Sequence, residues 1–131
     1  MIKRVLLTLT LLSVFGFGAL TLAPAQPVAA AAPGPSFVYP SNGQTLDYAG
    51  SYLFKVNPVP GASGYLWGFF QNGVMVWENY RDEGRLSGTE YGIHPGTFAH
   101  SRFARGWTQV WCRALVNGQW TDATVIWIYL R

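Results

Sequence analysis

The chain is short of nearly every residue type that does chemistry. It has 131 residues but one cysteine, Cys112, and two histidines, His94 and His100. A lone cysteine excludes an internal disulfide, and Cys112 reads as a small apolar strand residue. Five residues separate His94 from His100, with Glu90 upstream; the zinc patterns with such histidine spacing add paired cysteines, which are absent from the sequence, and the two histidines read as loop residues flanking a Pro95-Gly96 turn. No G-x-S-x-G nucleophile elbow occurs. Paired carboxylates for glycoside chemistry are available, Glu78 with Asp82 for example, and these adjoin a loop. Neither an enzyme nor a cofactor or metal is expected.

Charge is also scarce, at 11% of residues, and none falls between Arg4 and Asp47. Met1-Ile2-Lys3-Arg4 is a basic start. Nineteen mostly apolar residues follow, and small-residue cleavage sites lie at Ala23-Pro24-Ala25 and Val28-Ala29-Ala30. Residues 1–30 thus have the layout of a secretory signal peptide. An uncleaved anchor is the alternative, since that run is close to the ~20 residues that span a bilayer. Residues 31–35 are a Pro/Ala/Gly spacer, and residues 36–131 form the domain. Nothing after residue 35 is long and apolar enough to span a membrane, so no stable span remains once the leader is cleaved. The expected location is secreted or periplasmic.

The formal charge of +3 is largely a leader effect. Without Lys3 and Arg4, seven scattered basic residues face six acidic ones, leaving +1. That gives no clustered basic face for nucleic acid. The domain length, roughly 100 residues, suits a single core.

The pattern after the leader has period two and lacks helical periodicity. In residues 54–71, Phe54 and Val56 alternate with Lys55 and Asn57. A Pro58-Val59-Pro60-Gly61 corner follows, and Tyr65, Trp67 and Phe69 begin a second alternation. About seven strands are expected, at 37–39, 52–57, 65–71, 74–79, 89–93, 107–116 and 123–130. Asn72-Gly73 and Asn117-Gly118 mark hairpins. Residues 81–88 read as a loop. Turn spacing of this kind points to an all-β, antiparallel sandwich.

Two blocks carry a family resemblance. Val56-x-Pro58-Val59-Pro60-Gly61-Ala62-x-x-Tyr65 is similar to the strand B to strand C segment of fibronectin type III domains in bacterial secreted proteins. Cys112-Arg113-Ala114 with Asn117-Gly118-x-Trp120-Thr121 resembles their later block. The resemblance spans residues 36–131 and implies an immunoglobulin-like fold, a spacer, adhesion or ligand-binding role, and no catalytic residues. Two positions depart from the pattern. The family's strand B tryptophan falls on Val56 and its strand F tyrosine near Thr108, with Trp107 or Trp67 expected to take the lost volume. An Arg-Gly-Asp tripeptide is absent.

All six tryptophans, all seven tyrosines and six of eight phenylalanines follow the leader. A core absorbs many of them. With Tyr65, Trp67 and Phe69 inward, and Val110, Cys112 and Ala114 inward, the opposite faces carry Leu66, Phe70, Trp107, Trp111 and Leu115. The last strand is apolar on both faces. A sheet wetted on one side should alternate apolar with polar. The failure here predicts an apolar outer patch of Leu66, Phe70, Trp111 and Ile128, with Gln109 and Arg113 supplying polar contacts. The other reading is a core richer than this register allows. The expected ligand is a protein partner or a second copy, with carbohydrate as the runner-up.

Overall fold

The computed structural model describes Pro24, residues 30–96 and residues 102–131. The leader and His100 lie outside the described residues. The chain forms strands β1 (Phe37–Tyr39), β2 (Gln44–Leu46), β3 (Tyr52–Val56), β4 (Ala62–Gln71) and β5 (Val74–Glu78), then a one-turn helix α1 (Asn79–Glu83). Strands β6 (Glu90–Ile93), β7 (Gly106–Val116), β8 (Gln119–Trp120) and β9 (Thr124–Leu130) complete it.

Two sheets pack face to face. The smaller has the order β1-β3-β6; the larger has the order β2-β9-β7-β4-β5, with β8 paired to β7. The Pro58–Gly61 corner carries the chain from the smaller sheet to the larger, so β3 and β4 face each other across the core. This is an immunoglobulin-like β-sandwich. Among the described residues nine strands replace the expected seven, and two differences follow from short elements. β2 is only three residues and pairs in parallel with β9, so the larger sheet is mixed rather than purely antiparallel. Residues 79–83, expected to continue β5 and open a loop, turn into α1.

Each Asn-Gly pair closes a two-residue hairpin. Asn72 and Gly73 have φ of 52° and 75°, and Asn117 and Gly118 have 50° and 73°, the paired positive values of a type I′ turn. After the second hairpin the return strand gains one residue relative to β7, between the pairs Leu115↔Trp120 and Cys112↔Thr124. This is a β-bulge. Thr121 satisfies it: its N–H donates to the Ala114 carbonyl at 2.9 Å, and its hydroxyl accepts the Ala114 N–H at 3.0 Å.

The inner faces meet as expected from the alternation. Trp67, Phe69, Val110, Cys112 and Ala114 are fully buried, and Tyr65 nearly so. Trp67 stacks on Tyr91 of the opposite sheet (centroids 6.1 Å apart, planes 18° apart) and meets Phe37 edge-on. Trp67, not Trp107, therefore fills the core volume; Trp107 is 54% exposed. Asn79, wholly buried, extends the β4 ladder with its side chain. Its Oδ1 accepts the Trp67 N–H at 2.9 Å and its Nδ2 donates to the Tyr65 carbonyl at 3.1 Å.

Candidate functional site

The two outer faces of the sandwich differ in chemistry. On the smaller sheet, Lys55 and Glu90 pair across β3 and β6 at 3.1 Å, beside Leu53 and Gly92. This is the ordinary solvated face of an antiparallel sheet. The larger sheet presents a continuous aromatic and aliphatic surface.

Register builds that surface in rows across the strands. Phe70 of β4, Gln109 of β7 and Trp127 of β9 form one row; Gly68, Trp111 and Val125 form the next; Leu66 and Arg113 the third. Trp107 and Tyr129 pair at one end, and Leu115 and Trp120 at the other. Trp107, Trp120, Val125, Trp127 and Tyr129 are between 38% and 54% exposed.

The glycine at position 68 shapes the centre. A Cβ there would lie 2.4 Å from Cε2 of Trp111, so the indole lies across β4 in the space a side chain would fill. Phe70 packs beside it, with centroids 5.8 Å and planes 33° apart. The guanidinium of Arg113 sits over the same ring at 5.2 Å, a cation–π arrangement. Arg113 Nε is buried there without a hydrogen-bond partner. An orphaned buried donor of this kind typically costs about 1–3 kcal/mol.

Five of the six residues expected on this surface are therefore brought together: Leu66, Phe70, Gln109, Trp111 and Arg113, each half-buried. Ile128 is not among them. It is 2% exposed and faces the core. The reason is its partner on β7, the fully buried Thr108. Thr108 is fixed inward by the Gln71 amide, whose Nε2 donates to Thr108 Oγ1 at 2.8 Å and to the Ala104 carbonyl at 2.7 Å. The outward residues of β9 are instead Val125, Trp127 and Tyr129.

Two open hollows lie at the ends of the face. One, of about 390 Å³, is lined by Leu66, Glu78, Tyr80, Leu86, Leu115 and Trp120. The other, of about 420 Å³, is lined by Asn42, Gly43, Trp107 and Trp127. In the second, Asn42 Oδ1 accepts the Trp127 N–H at 2.8 Å, so that oxygen is already engaged. Trp107 and Tyr129 meet edge-to-face, with planes 69° apart.

The remaining titratable groups serve the scaffold. Asp82 accepts the Glu78 N–H at 3.0 Å and Arg102 Nη1 at 2.7 Å, closing the start of α1. Burial raises its carboxyl pKa, but these hydrogen bonds, with Arg102 and Arg81 nearby, outweigh that and hold it below the ordinary value. Asp82 thus ties the start of α1 through the Glu78 backbone N–H, and the Glu78 side chain makes no cap bond. Trp77 Nε1 donates to the Tyr91 hydroxyl, which donates to Glu83 Oε1 at 2.8 Å. Burial, with that bond to Glu83, pushes the Tyr91 hydroxyl up. Burial likewise pushes the Cys112 thiol up, away from the reactive thiolate. His94 Nδ1 lies 2.6 Å from Ser51 Oγ. Among the described residues, no group of three or more His, Cys, Asp or Glu could hold a metal ion. No helix among them is long and apolar enough to cross a membrane.

Fold and surface together define a β-sandwich module with one mixed outer face, where Lys55 and Glu90 stand beside Val38 and Leu53, and one largely aromatic outer face. No protein-family model matches the sequence, and no curated protein does. A solved structure described as a Fn3-like protein from Clostridium thermocellum is similar, at 19% identity and a TM-score of 0.44. The match covers 75% of this chain and 95% of that one.

Proposed function

We propose that the protein is a non-enzymatic module of the cell envelope or extracellular medium that docks a protein partner on the outer face of its larger sheet. The observation that carries this reading is β9, apolar on both faces, with Val125, Trp127 and Tyr129 left exposed beside Trp107. Taking roughly 200 Å² per aromatic ring, these residues alone expose about 300–400 Å² of apolar surface, the size of the largest patch on a typical monomer. Trp, Tyr and Arg are the residue types that dominate protein interfaces, and the Arg113 guanidinium stands over the Trp111 ring. The leader pattern of residues 1–30 supports export.

Carbohydrate is the less favoured ligand. Sugar rings stack on coplanar aromatic platforms, whereas Trp107 and Tyr129 cross at 69°. The test is a photo-crosslinking residue at Val125, with one at Leu53 on the opposite sheet as control, in the protein expressed in its own host. Protein adducts are expected from Val125 and not from Leu53. Absence of adducts from Val125, or equal adducts from both, defeats the reading. Retention on a polysaccharide that is lost in Trp127→Ala would replace it with the sugar reading.

A further inference from the structure

The outward residues of β7 have a symmetry about Trp111. Gln109 and Arg113 lie two positions to either side, and Trp107 and Leu115 lie four positions away. We propose that the partner on this face is a second copy of the chain, related by a two-fold axis lying in the interface and crossing the strands at the Gly68–Trp111–Val125 row. This rests on the docking reading above and specifies its occupant.

The register fixes what such an axis would bring together. It reverses the direction along each strand while keeping β4 over β4, β7 over β7 and β9 over β9. Trp107 then meets Leu115 of the other copy, and Phe70 meets Leu66. Trp127, a large exposed ring in the row of Gln109, meets the small Ala123 beside the row of Arg113. Tyr129 meets Trp120, so the aromatic end of each face covers the apolar hollow at the opposite end of the other. Gln109 meets Arg113. The Arg113 guanidinium, set over the Trp111 ring, gains the Gln109 carboxamide oxygen. In an isologous contact every such pair occurs twice.

The dimensions suit a stable dimer. The eleven residues of β7 extend about 36 Å at ~3.3 Å each, and the five strands span about 19 Å at ~4.8 Å spacing. Because β2 has three residues and β5 five, the face fills less than that rectangle, roughly 600 Å² per partner or about 1,200 Å² for the pair, the lower end of specific interfaces. Two sheets packed in this way keep their strands aligned within about 30°, the usual geometry of sheet-on-sheet packing.

Charge changes at Gln109 test the pairing, because within one chain residues 109 and 113 are about 13 Å apart along the strand and cannot pair. Light scattering and sedimentation of the purified protein across the micromolar to millimolar range are expected to show a dimer. Gln109→Glu should tighten it about tenfold by placing a carboxylate on Arg113 twice over, and Gln109→Lys should loosen it by a similar factor. Gln109→Lys combined with Arg113→Glu should restore it; thermal unfolding of each variant checks that the fold is intact. A wild-type protein that stays monomeric throughout, or a dimer that responds to Glu and Lys at position 109 in the same way, overturns the proposal. The two single substitutions keep Arg113 and decide the matter even if the double variant unfolds. A Val125 adduct to a different protein, with no homodimer, removes the second copy and leaves the docking reading standing. No adduct and no dimer removes both.

Discussion

Replacing Gly68 with alanine should destabilise the protein, although the same change at Gly92 of β6, where an added Cβ meets nothing, would help. Gly68 is not in the left-handed backbone region, so alanine suits its conformation. Reduced unfolded-state freedom then contributes about 0.4–1 kcal/mol of stability. Against this, the new Cβ would lie 2.4, 2.5 and 2.8 Å from Cε2, Cζ2 and Nε1 of Trp111. These are rigid ring atoms, and Phe70 and Arg113 hold the ring from one side and from its outer face. Overpacking of this kind costs about 1–3 kcal/mol. Lifting the indole also disturbs the Arg113 contact, worth about 0.5–1 kcal/mol. The net expectation is a loss of about 1–2 kcal/mol, a fall in melting temperature of roughly 5–15 °C for a domain of this size. Thermal and urea unfolding measure it directly. In a Trp111→Ala background the clash is gone, and Gly68→Ala should become neutral or stabilising. A rise in melting temperature for Gly68→Ala alone, or the same shift in both backgrounds, refutes the account of how the central row packs.

Two further substitutions probe the scaffold. Asn79→Ala strips partners from the buried Trp67 N–H and Tyr65 carbonyl, and should cost about 2–4 kcal/mol in urea unfolding; Asn79→Asp keeps the acceptor for Trp67 but buries a carboxylate against the Tyr65 carbonyl, and should cost at least as much at neutral pH and less at acid pH. The Asp82 carboxyl is held below its ordinary value in the folded protein. Its contribution is thus complete above the unfolded pKa of about 3.9 and is lost as pH falls through the lower folded value. Asp82→Asn should flatten the acid side of a plot of urea midpoint against pH and leave the slope near neutrality unchanged.

Much of the larger sheet was legible because period-two alternation needs no tertiary information. Tyr65, Trp67 and Phe69 point inward for the same reason that Leu66 and Phe70 point outward, and the two Asn-Gly pairs set their hairpins locally. β9 could not be phased in this way, since Val125 to Leu130 is apolar at every position. Its phase is set from the neighbouring strand by a polar contact, Gln71 to Thr108, and without that contact Ile128 and Trp127 are equivalent candidates for the surface. β2 went unseen for a related reason: Gln44-Thr45-Leu46 has too few residues to show alternation, and its partner is remote in sequence. α1 is a single turn, too short for a periodic signal, and is held by the Asn79 and Asp82 side chains. The hollow beside Leu66 depends on Tyr80 and Leu86, which the sequence places just before and within a loop with no indication of where they return.

The parallel pairing of β2 with β9 has a mechanical meaning. Gly43 N–H donates to the Trp127 carbonyl, Arg131 N–H to the Leu46 carbonyl and Tyr48 N–H to the Arg131 carbonyl, while the Arg131 and Asp47 side chains join positions 84 residues apart in sequence. A pull on the chain entering β2 and an opposite pull on the chain leaving β9 run along these strands in contrary directions. The load falls on the ladder in shear, so its bonds must give way together rather than peel apart one at a time. A module tethered at one end and tugged at the other resists at this seam, however modest its equilibrium stability.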